Sequence, residues 1–281
     1  MKEYTLSKEI IMKYENHLIS QEYSKGTVEK YIRDVNRFLR WLNGGTVTKE
    51  KSVAWKEYLY ETGYAPITIN SMLASLNGLF RVEGWEECRT KFYKIQRKMF
   101  RDANKDLKRQ EYERLVSTAK KEGKHKIALL METICATGIR VSEVSYITVE
   151  AVCRGQAEIV LKGKIRIIII PSKLRKKLLS YIKHNQIKSG KVFLTERGNR
   201  ISRGQIWKEM KQLSCKAKVE ASKVFPHNLR HLFAVTFYNV CKDVVRLADV
   251  LGHSNIETTR IYLLTTGRNH ARQLEKLKLV I

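Results

Sequence analysis

Long apolar runs are missing from this chain. No stretch of roughly 18 consecutive apolar residues occurs, which excludes a membrane-spanning helix of ordinary length. The first residues, MKEYTLSKEIIMKYEN, are charged throughout and lack the apolar centre of a secretory signal, so a cytoplasmic protein is expected. Cysteine is sparse. The five, Cys88, Cys135, Cys153, Cys215 and Cys241, are odd in number and form no CxxC pair. That argues against a disulfide framework or a zinc ribbon and predicts small buried residues. No internal repeat or low-complexity run is evident. Above all, acidic charge is scarce, with 28 Asp and Glu against 54 Lys and Arg, a net +26.

The imbalance is uneven. Residues 1–104 carry 18 Lys and Arg against 13 acids, whereas residues 105–281 carry 36 against 15. From Ile165 to Lys218 there are 15 basic residues and only Glu196 and Glu209 as acids. A field of one sign points to a polyanion, and nucleic acid leads because the basic residues lie inside patterned segments. Hydrophobic residues make up 43% of the 281, enough for real cores, and the length suggests about two domains.

The first hundred residues read as helices. Ile10, Ile11, Tyr14 and Leu18 share one helical face. Val28, Ile32, Val35, Leu39 and Leu42 repeat the spacing after Ser24 and Thr27, and Gly44-Gly45 ends it. A further helix follows Thr48, and Pro66 opens another along Ile69, Leu73, Leu76 and Phe80. The result is a small bundle. A polar, basic stretch from Lys94 to Lys108 reads as the connection to a second domain. That domain opens with helices over 107–121 and 125–137, the latter ended by Gly138. AEIVLKGKIRIIII then pairs two β-branched runs around a Lys-Gly-Lys turn, a hairpin. Its second arm is so apolar that burial on both faces, or cover by a helix, is expected. Helices resume over 172–185, 202–218, 227–240 and 243–251, with a last one after Asn269. The fold class is therefore mainly α: a helical bundle, then an α-rich domain with a small β-hairpin.

Four stretches carry candidate chemistry. In CATGIRVSEVSYI, Arg140 follows a helix stop and Glu143 lies three residues on, close enough to hold the guanidinium; an ordinary surface pair is the alternative. In LKGKIR, Lys162 and Lys164 sit at the hairpin tip, where a flexible lysine can reach a groove or merely charge an exposed edge. In PHNLRHLFAVTFY, Pro226 suits a first helical turn, and His227, Arg230 and His231 form a polar cluster heading an apolar helix. His227 and His231 have the spacing of zinc-binding helices, but Asn228 stands where a glutamate base belongs. In LGHSNIETTRIY, His253 follows a helix-ending Gly252, and Tyr262 lies in a segment capped by Ser254 or Asn255. A core aromatic is the commoner fate of such a tyrosine.

Taken in order, R…K…HxxR…H…Y with its surrounding words, ATGIRVSE, KGK followed by R and then P, PHNLRH and LGHSNIETTRIY, resembles the tyrosine recombinase (phage integrase) family, in its simple two-domain form. TVEKYIRDVNRFLRWL resembles that family's SAM-like core-binding domain. The resemblance implies a core-binding domain over residues 1–100, a linker over 101–108 and a catalytic domain over 109–281. It implies that Tyr262 attacks a DNA phosphate, that Arg140 and Arg230 clamp its oxygens and that His227 and His253 assist. A hairpin lysine would protonate the leaving strand; Lys162 matches the family turn better, and Lys164 stays open. Glu143 would orient Arg140, and His231 would lie behind the site. No cofactor or metal is implied. The expected partners are double-stranded DNA, three further copies in a tetramer held partly by the tail helix, and accessory DNA-bending or directionality proteins, with the protein associated with the nucleoid. A type IB topoisomerase-like enzyme and a catalytically silent DNA-binding protein are the alternatives.

Overall fold

Caps written into the sequence set several of the helix starts. A computed structural model describes residues 3–96, 103–161 and 164–262, and the chain divides into two units, Met1–Arg97 and Lys98–Ile281. The first unit holds α1 (Lys8–Ser20), α2 (Lys25–Leu42), α3 (Lys49–Glu61) and α4 (Pro66–Val82). The Ser7 and Thr48 hydroxyls accept from the backbone N–H groups of Ile10 and Lys51, supplying partners for orphan donors at the starts of α1 and α3. The shared apolar faces meet in a core of Val35, Phe38, Trp55, Leu59, Ile69, Leu73 and Phe80. Phe38 sets its ring edge-on to Trp55 and Phe80, at 5.6 and 6.3 Å between centroids. These are the helices expected, closed around one apolar centre.

The second unit holds α5 (Arg109–Lys121), α6 (His125–Thr137), α7 (Val149–Arg154), β1 (Gln156–Leu161), β2 (Lys164–Ile169), α8 (Ser172–His184), α9 (Arg203–Lys216), α10 (Pro226–Cys241), α11 (Val244–Leu251) and α12 (Glu257–Arg260). Apolar α6 packs against α5, α8, α9 and α10. Leu115, Leu130, Ile134, Leu178 and Leu213 fill the space between, and Leu107 joins them from ahead of α5. The helix expected from residue 107 starts only at Arg109, because the Glu111 carboxylate turns back to accept from the Lys108 N–H at 2.7 Å. A smaller apolar cluster of Ala234, Leu247, Leu251 and Tyr262 joins α10, α11 and the end of the described chain. No helix among the described residues is long and apolar enough to cross a membrane.

Two further expectations are corrected. The hairpin forms, with β1 and β2 antiparallel and Ile159 opposite Arg166, but its second arm is not buried on both faces. Ala157, Ile159 and Ile168 face inward, while Ile165, Ile167 and Ile169 are 68%, 60% and 76% exposed. The pleat sends alternate residues to opposite faces, and in this two-stranded sheet it is the inward set that meets protein. The cysteines are not uniformly buried either. Cys88 is buried and Cys135 half-buried, but Cys153, Cys215 and Cys241 are exposed, each within the last two residues of its helix and off its apolar stripe. All five are free. The helix expected after Asn269 and the first two residues of the linker expected over 101–108 lie outside the described residues, and Ala103–Lys105 of that linker form a short 3₁₀ turn.

Gly138 ends α6 with φ +66°, and a β-carbon there would stand 2.4 Å from the Phe233 ring of α10. Gly138→Ala combines a left-handed conformation costly for an L residue with overpacking. The unfolding free energy of the full chain should fall by about 1–3 kcal/mol, measured by urea denaturation.

Candidate active site

Four separate segments bring their polar residues to one place in the second unit. After the Gly138 turn, Ile139 is fully buried and Arg140 begins a 3₁₀ turn, Val141–Tyr146. Glu143, only 2% exposed, reaches back along that turn. One carboxylate oxygen accepts from Arg140 Nη1 at 2.9 Å. The other accepts from the Arg140 backbone N–H at 2.7 Å and from Arg166 Nη2 at 2.5 Å. Arg166 comes from the inner face of β2. A single buried carboxylate thus holds two guanidinium groups by charge-assisted bonds.

The third guanidinium belongs to Arg230, one turn into α10 and 2% exposed. Its Nη1 donates to the Gly138 carbonyl at 2.5 Å and its Nη2 to the Leu251 carbonyl at 2.8 Å. These carbonyls lie at the C-terminal ends of α6 and α11, where unsatisfied acceptors and the helix dipole favour a cation. The end of α11 is used three times. Val250 O accepts from Arg166 at 3.1 Å, Leu251 O from Arg230, and Gly252 O from Arg140 at 3.4 Å. Burial and the neighbouring Arg140 charge push the Arg230 guanidinium down to about 10, still protonated at neutral pH.

Gly252 turns the chain with φ +63°, and Arg166 lies so close that a β-carbon would meet its Cδ at 2.4 Å. His253 follows. Its Nε2 is 3.0 Å from Arg230 Nη2, and its Nδ1 is 2.9 Å from the hydroxyl of fully buried Thr259. A guanidinium can only donate, so Nε2 accepts and Nδ1 carries the proton toward Thr259. Burial first, then the charges of Arg230, Arg140 and Arg166, hold the imidazole down to about 4. The Asn255 side chain accepts from the Glu257 N–H at 2.8 Å, opening α12, and the Thr259 carbonyl accepts from the Tyr262 N–H at 3.0 Å. Tyr262 is 5% exposed. Its ring lies nearly parallel to His253, 6.1 Å between centroids at 10°, and 5.1 Å from His231. It lies close enough to Arg230 to bear on the charge of that guanidinium.

Of the expected site residues, Arg140, Glu143, Arg230, His253 and Tyr262 therefore converge. His227 is exposed on the first turn of α10, near enough for its charge to bear on His253. His231 is buried behind Tyr262, with Nε2 3.5 Å from an Asp106 carboxylate oxygen. Among the described residues no three His, Cys, Asp or Glu converge as metal ligands. Lys162 lies outside the described residues. Lys164 opens β2 opposite Leu161, at the tip. Arg166 and Thr259 are additions that the sequence reading gives no role. The signal for Arg166 was a lone charge within IRIIII, because a charged residue is seldom buried without a partner. A cavity of about 680 Å³ opens beside Arg140, Glu143, Arg166 and His253.

Because His253 titrates at about 4 when folded and near 6.5 when unfolded, the folded chain binds fewer protons between those values. Stability should therefore fall as pH drops from 6.5 toward 4. The fall should be shallower for His253→Gln in denaturant titrations. The His253 Cε1 proton resonance should titrate near pH 4; a midpoint near 6.5 would contradict the hold that burial and the arginines exert on the imidazole.

Known proteins resemble both units. The phage integrase family matches residues 105–267, and the phage integrase N-terminal SAM-like domain matches residues 11–87. Tyrosine recombinase XerA of Thermococcus kodakarensis is 30% identical over 97% of this chain and 96% of its own length. XerA of Pyrococcus furiosus is 26% identical over 100% and 98%. The Tn1549 transposon integrase in complex with transposon right end DNA superposes with a TM-score of 0.70 at 18% identity, covering 97% of this chain and 99% of that one. A lambda integrase tetramer bound to a Holliday junction gives 0.72 at 18% identity, over 93% and 78%. With the integrase match spanning more than half its length and a near-full-length relative at 30% identity, the chain belongs to the phage integrase family, the tyrosine recombinases.

Proposed function

We propose that this site-specific recombinase cuts and rejoins duplex DNA one strand at a time, with Tyr262 as the nucleophile. The observation that carries this reading is the meeting of Tyr262 with Arg230 and His253, from three different segments, beside a second arginine at a cavity. The Tyr262 oxygen bonds to the scissile phosphorus, the bond to the 5′ oxygen breaks, and a 3′-phosphotyrosyl link and a free 5′-hydroxyl result. Bond energy is kept in the covalent intermediate, so the 5′-hydroxyl of a partner strand reverses the step without ATP. Arg140 and Arg230 pair with the non-bridging oxygens as negative charge builds, where many phosphoryl-transfer enzymes use a metal ion. His227 serves the tyrosine proton or the phosphate. Lys162 or Lys164 gives a proton to the leaving oxygen.

His253 has a definite part in this scheme. In the free protein its Nε2 is an acceptor, held neutral by burial and by the arginines. A phosphate anion seated between Arg140 and Arg230 offsets that charge, favours a proton on Nε2 and turns His253 into a donor to the phosphate. His231, packed on the Tyr262 ring, steadies the nucleophile.

The partner is duplex DNA. Residues 1–100 act as the core-binding domain, 101–108 as the linker and 109–281 as the catalytic domain. In the first unit, Lys30, Arg33 and Arg37 of α2 line a groove of about 510 Å³ with Tyr64 and Thr68, a basic surface suited to phosphates. Binding should weaken steeply with salt. Four copies act together on paired sites, aided by the tail that follows Tyr262, and accessory DNA-bending or directionality proteins set the outcome in the nucleoid.

Two experiments test this. On a nicked duplex that loses its 5′-hydroxyl fragment, wild type without added metal should trap a covalent adduct, and Tyr262→Phe should bind but trap none. An adduct surviving that substitution would remove Tyr262 as nucleophile. Truncation from Asn269 onward should lower recombination between two sites while leaving single-site binding in gel shifts; unchanged recombination would remove the tail from assembly.

A further inference from the structure

Arg166 lies on the inner face of β2, two residues beyond Lys164 and, in sequence, four beyond Lys162. Its side chain is 12% exposed. Nη2 binds Glu143 at 2.5 Å, Nη1 binds the Val250 carbonyl at 3.1 Å, and the stem packs over Gly252, where any β-carbon would displace it. The guanidinium therefore ties three segments distant in sequence: the turn bearing Arg140, the end of α11 bearing His253, and the strand leading from the lysine tip. Tyr146 makes a second tie, donating to the Val160 carbonyl at 2.6 Å, but it fixes β1 and not the strand that follows the tip. Both terminal nitrogens of Arg166 are engaged within the protein. It borders the same cavity as Arg140 and His253.

We propose that Arg166 is a positioning residue for leaving-group protonation. It locks β2, which opens at Lys164, onto Glu143 and the Val250 carbonyl and so holds the strand that follows the lysines beside Arg140. The step it serves forms the Tyr262 oxygen–phosphorus bond, breaks the phosphorus–5′-oxygen bond and moves a proton from a lysine Nζ to that 5′ oxygen. Arg166 meets the two acceptors with separate nitrogens, Nη2 on the carboxylate and Nη1 on the carbonyl, a fork that a single lysine ammonium does not offer. The proposal rests on the reading that a hairpin lysine is the general acid.

The test compares two duplexes, one ordinary and one with sulfur in place of the bridging 5′ oxygen at the scissile phosphate. A thiolate leaves without a proton, so only defects in leaving-group protonation are rescued. For the full-length Arg166→Met protein, adduct formation on the ordinary duplex should slow by about 100-fold, in the range typical of lost supporting contacts. On the sulfur duplex it should come within about fivefold of wild type, and DNA affinity should stay within about threefold. Arg166→Lys, which keeps the charge and most of the stem, should show a smaller defect with the same rescue, and guards against a misfolded methionine variant. Equal defects on both duplexes would overturn the proposal and assign Arg166 to the phosphate clamp or to folding. Lys162→Ala, Lys164→Ala and the double variant are the control. If sulfur rescues none of them, the general-acid reading itself falls. If it rescues a lysine variant but neither Arg166 variant, only the proposal falls.

Discussion

Three guanidinium groups, those of Arg140, Arg166 and Arg230, must occupy one small region, two of them largely out of water, and the rest of the site depends on how that is made tolerable. At an effective dielectric of about 20, like charges about 4 Å apart repel by about 4 kcal/mol. Desolvation adds to this. The answer is one buried carboxylate, Glu143, shared by two of the arginines, and the backbone carbonyls of Gly138, Val250, Leu251 and Gly252. Helix ends supply four acceptors with partial negative charge and no extra acidic side chain to bring in. A site meant for a phosphate gains from this economy. Each further carboxylate would have competed with the anion, whereas carbonyl dipoles hold the arginines and leave the region positive.

The neutral His253 follows from the same arrangement. An imidazole hemmed by arginines cannot keep a second proton, so it accepts from Arg230 and gives its remaining proton to Thr259. Thr259, through its backbone carbonyl, also receives the Tyr262 N–H, so one buried threonine couples the histidine to the turn that carries the tyrosine. The nine-residue spacing in LGHSNIETTRIY thus has a concrete meaning. It is the length of a helix-ending glycine turn, an asparagine cap and a single helical turn, which together return Tyr262 to the face of the imidazole it left.

Features governed by local chemistry were legible from the sequence. Thr48, Ser202, Gly138 and Gly252 cap or end helices where their side chains, or the lack of one, dictate. The order of Arg140, Arg230, His253 and Tyr262 announced a shared site, and the structure brings these four together with Glu143. Long-range packing was less legible. In IRIIII the eye counts isoleucines and expects a buried strand, yet the pleat turns Ile165, Ile167 and Ile169 outward and the charged Arg166 inward. Nothing within the strand reveals that a glutamate from an earlier turn and a carbonyl from a later helix await that arginine. The exposed cysteines were misread likewise, since exposure near a helix end depends on what the helix packs against.

Backbone acceptors also bear on how this site can drift. A carbonyl belongs to every residue, so the contacts made by Val250 and Leu251 with two arginines do not depend on which side chains stand there. Val250 is free to vary within the demands of its helix, and Leu251 within those of the apolar cluster it fills. Position 252 has no such latitude, because its carbonyl contact comes with a left-handed turn and an arginine stem pressed against the missing side chain. Three adjacent residues thus hold three cations by one kind of atom, under unequal restraint. Substitution can pass through the first two positions without touching the electrostatics of the site and is stopped at the third by shape alone.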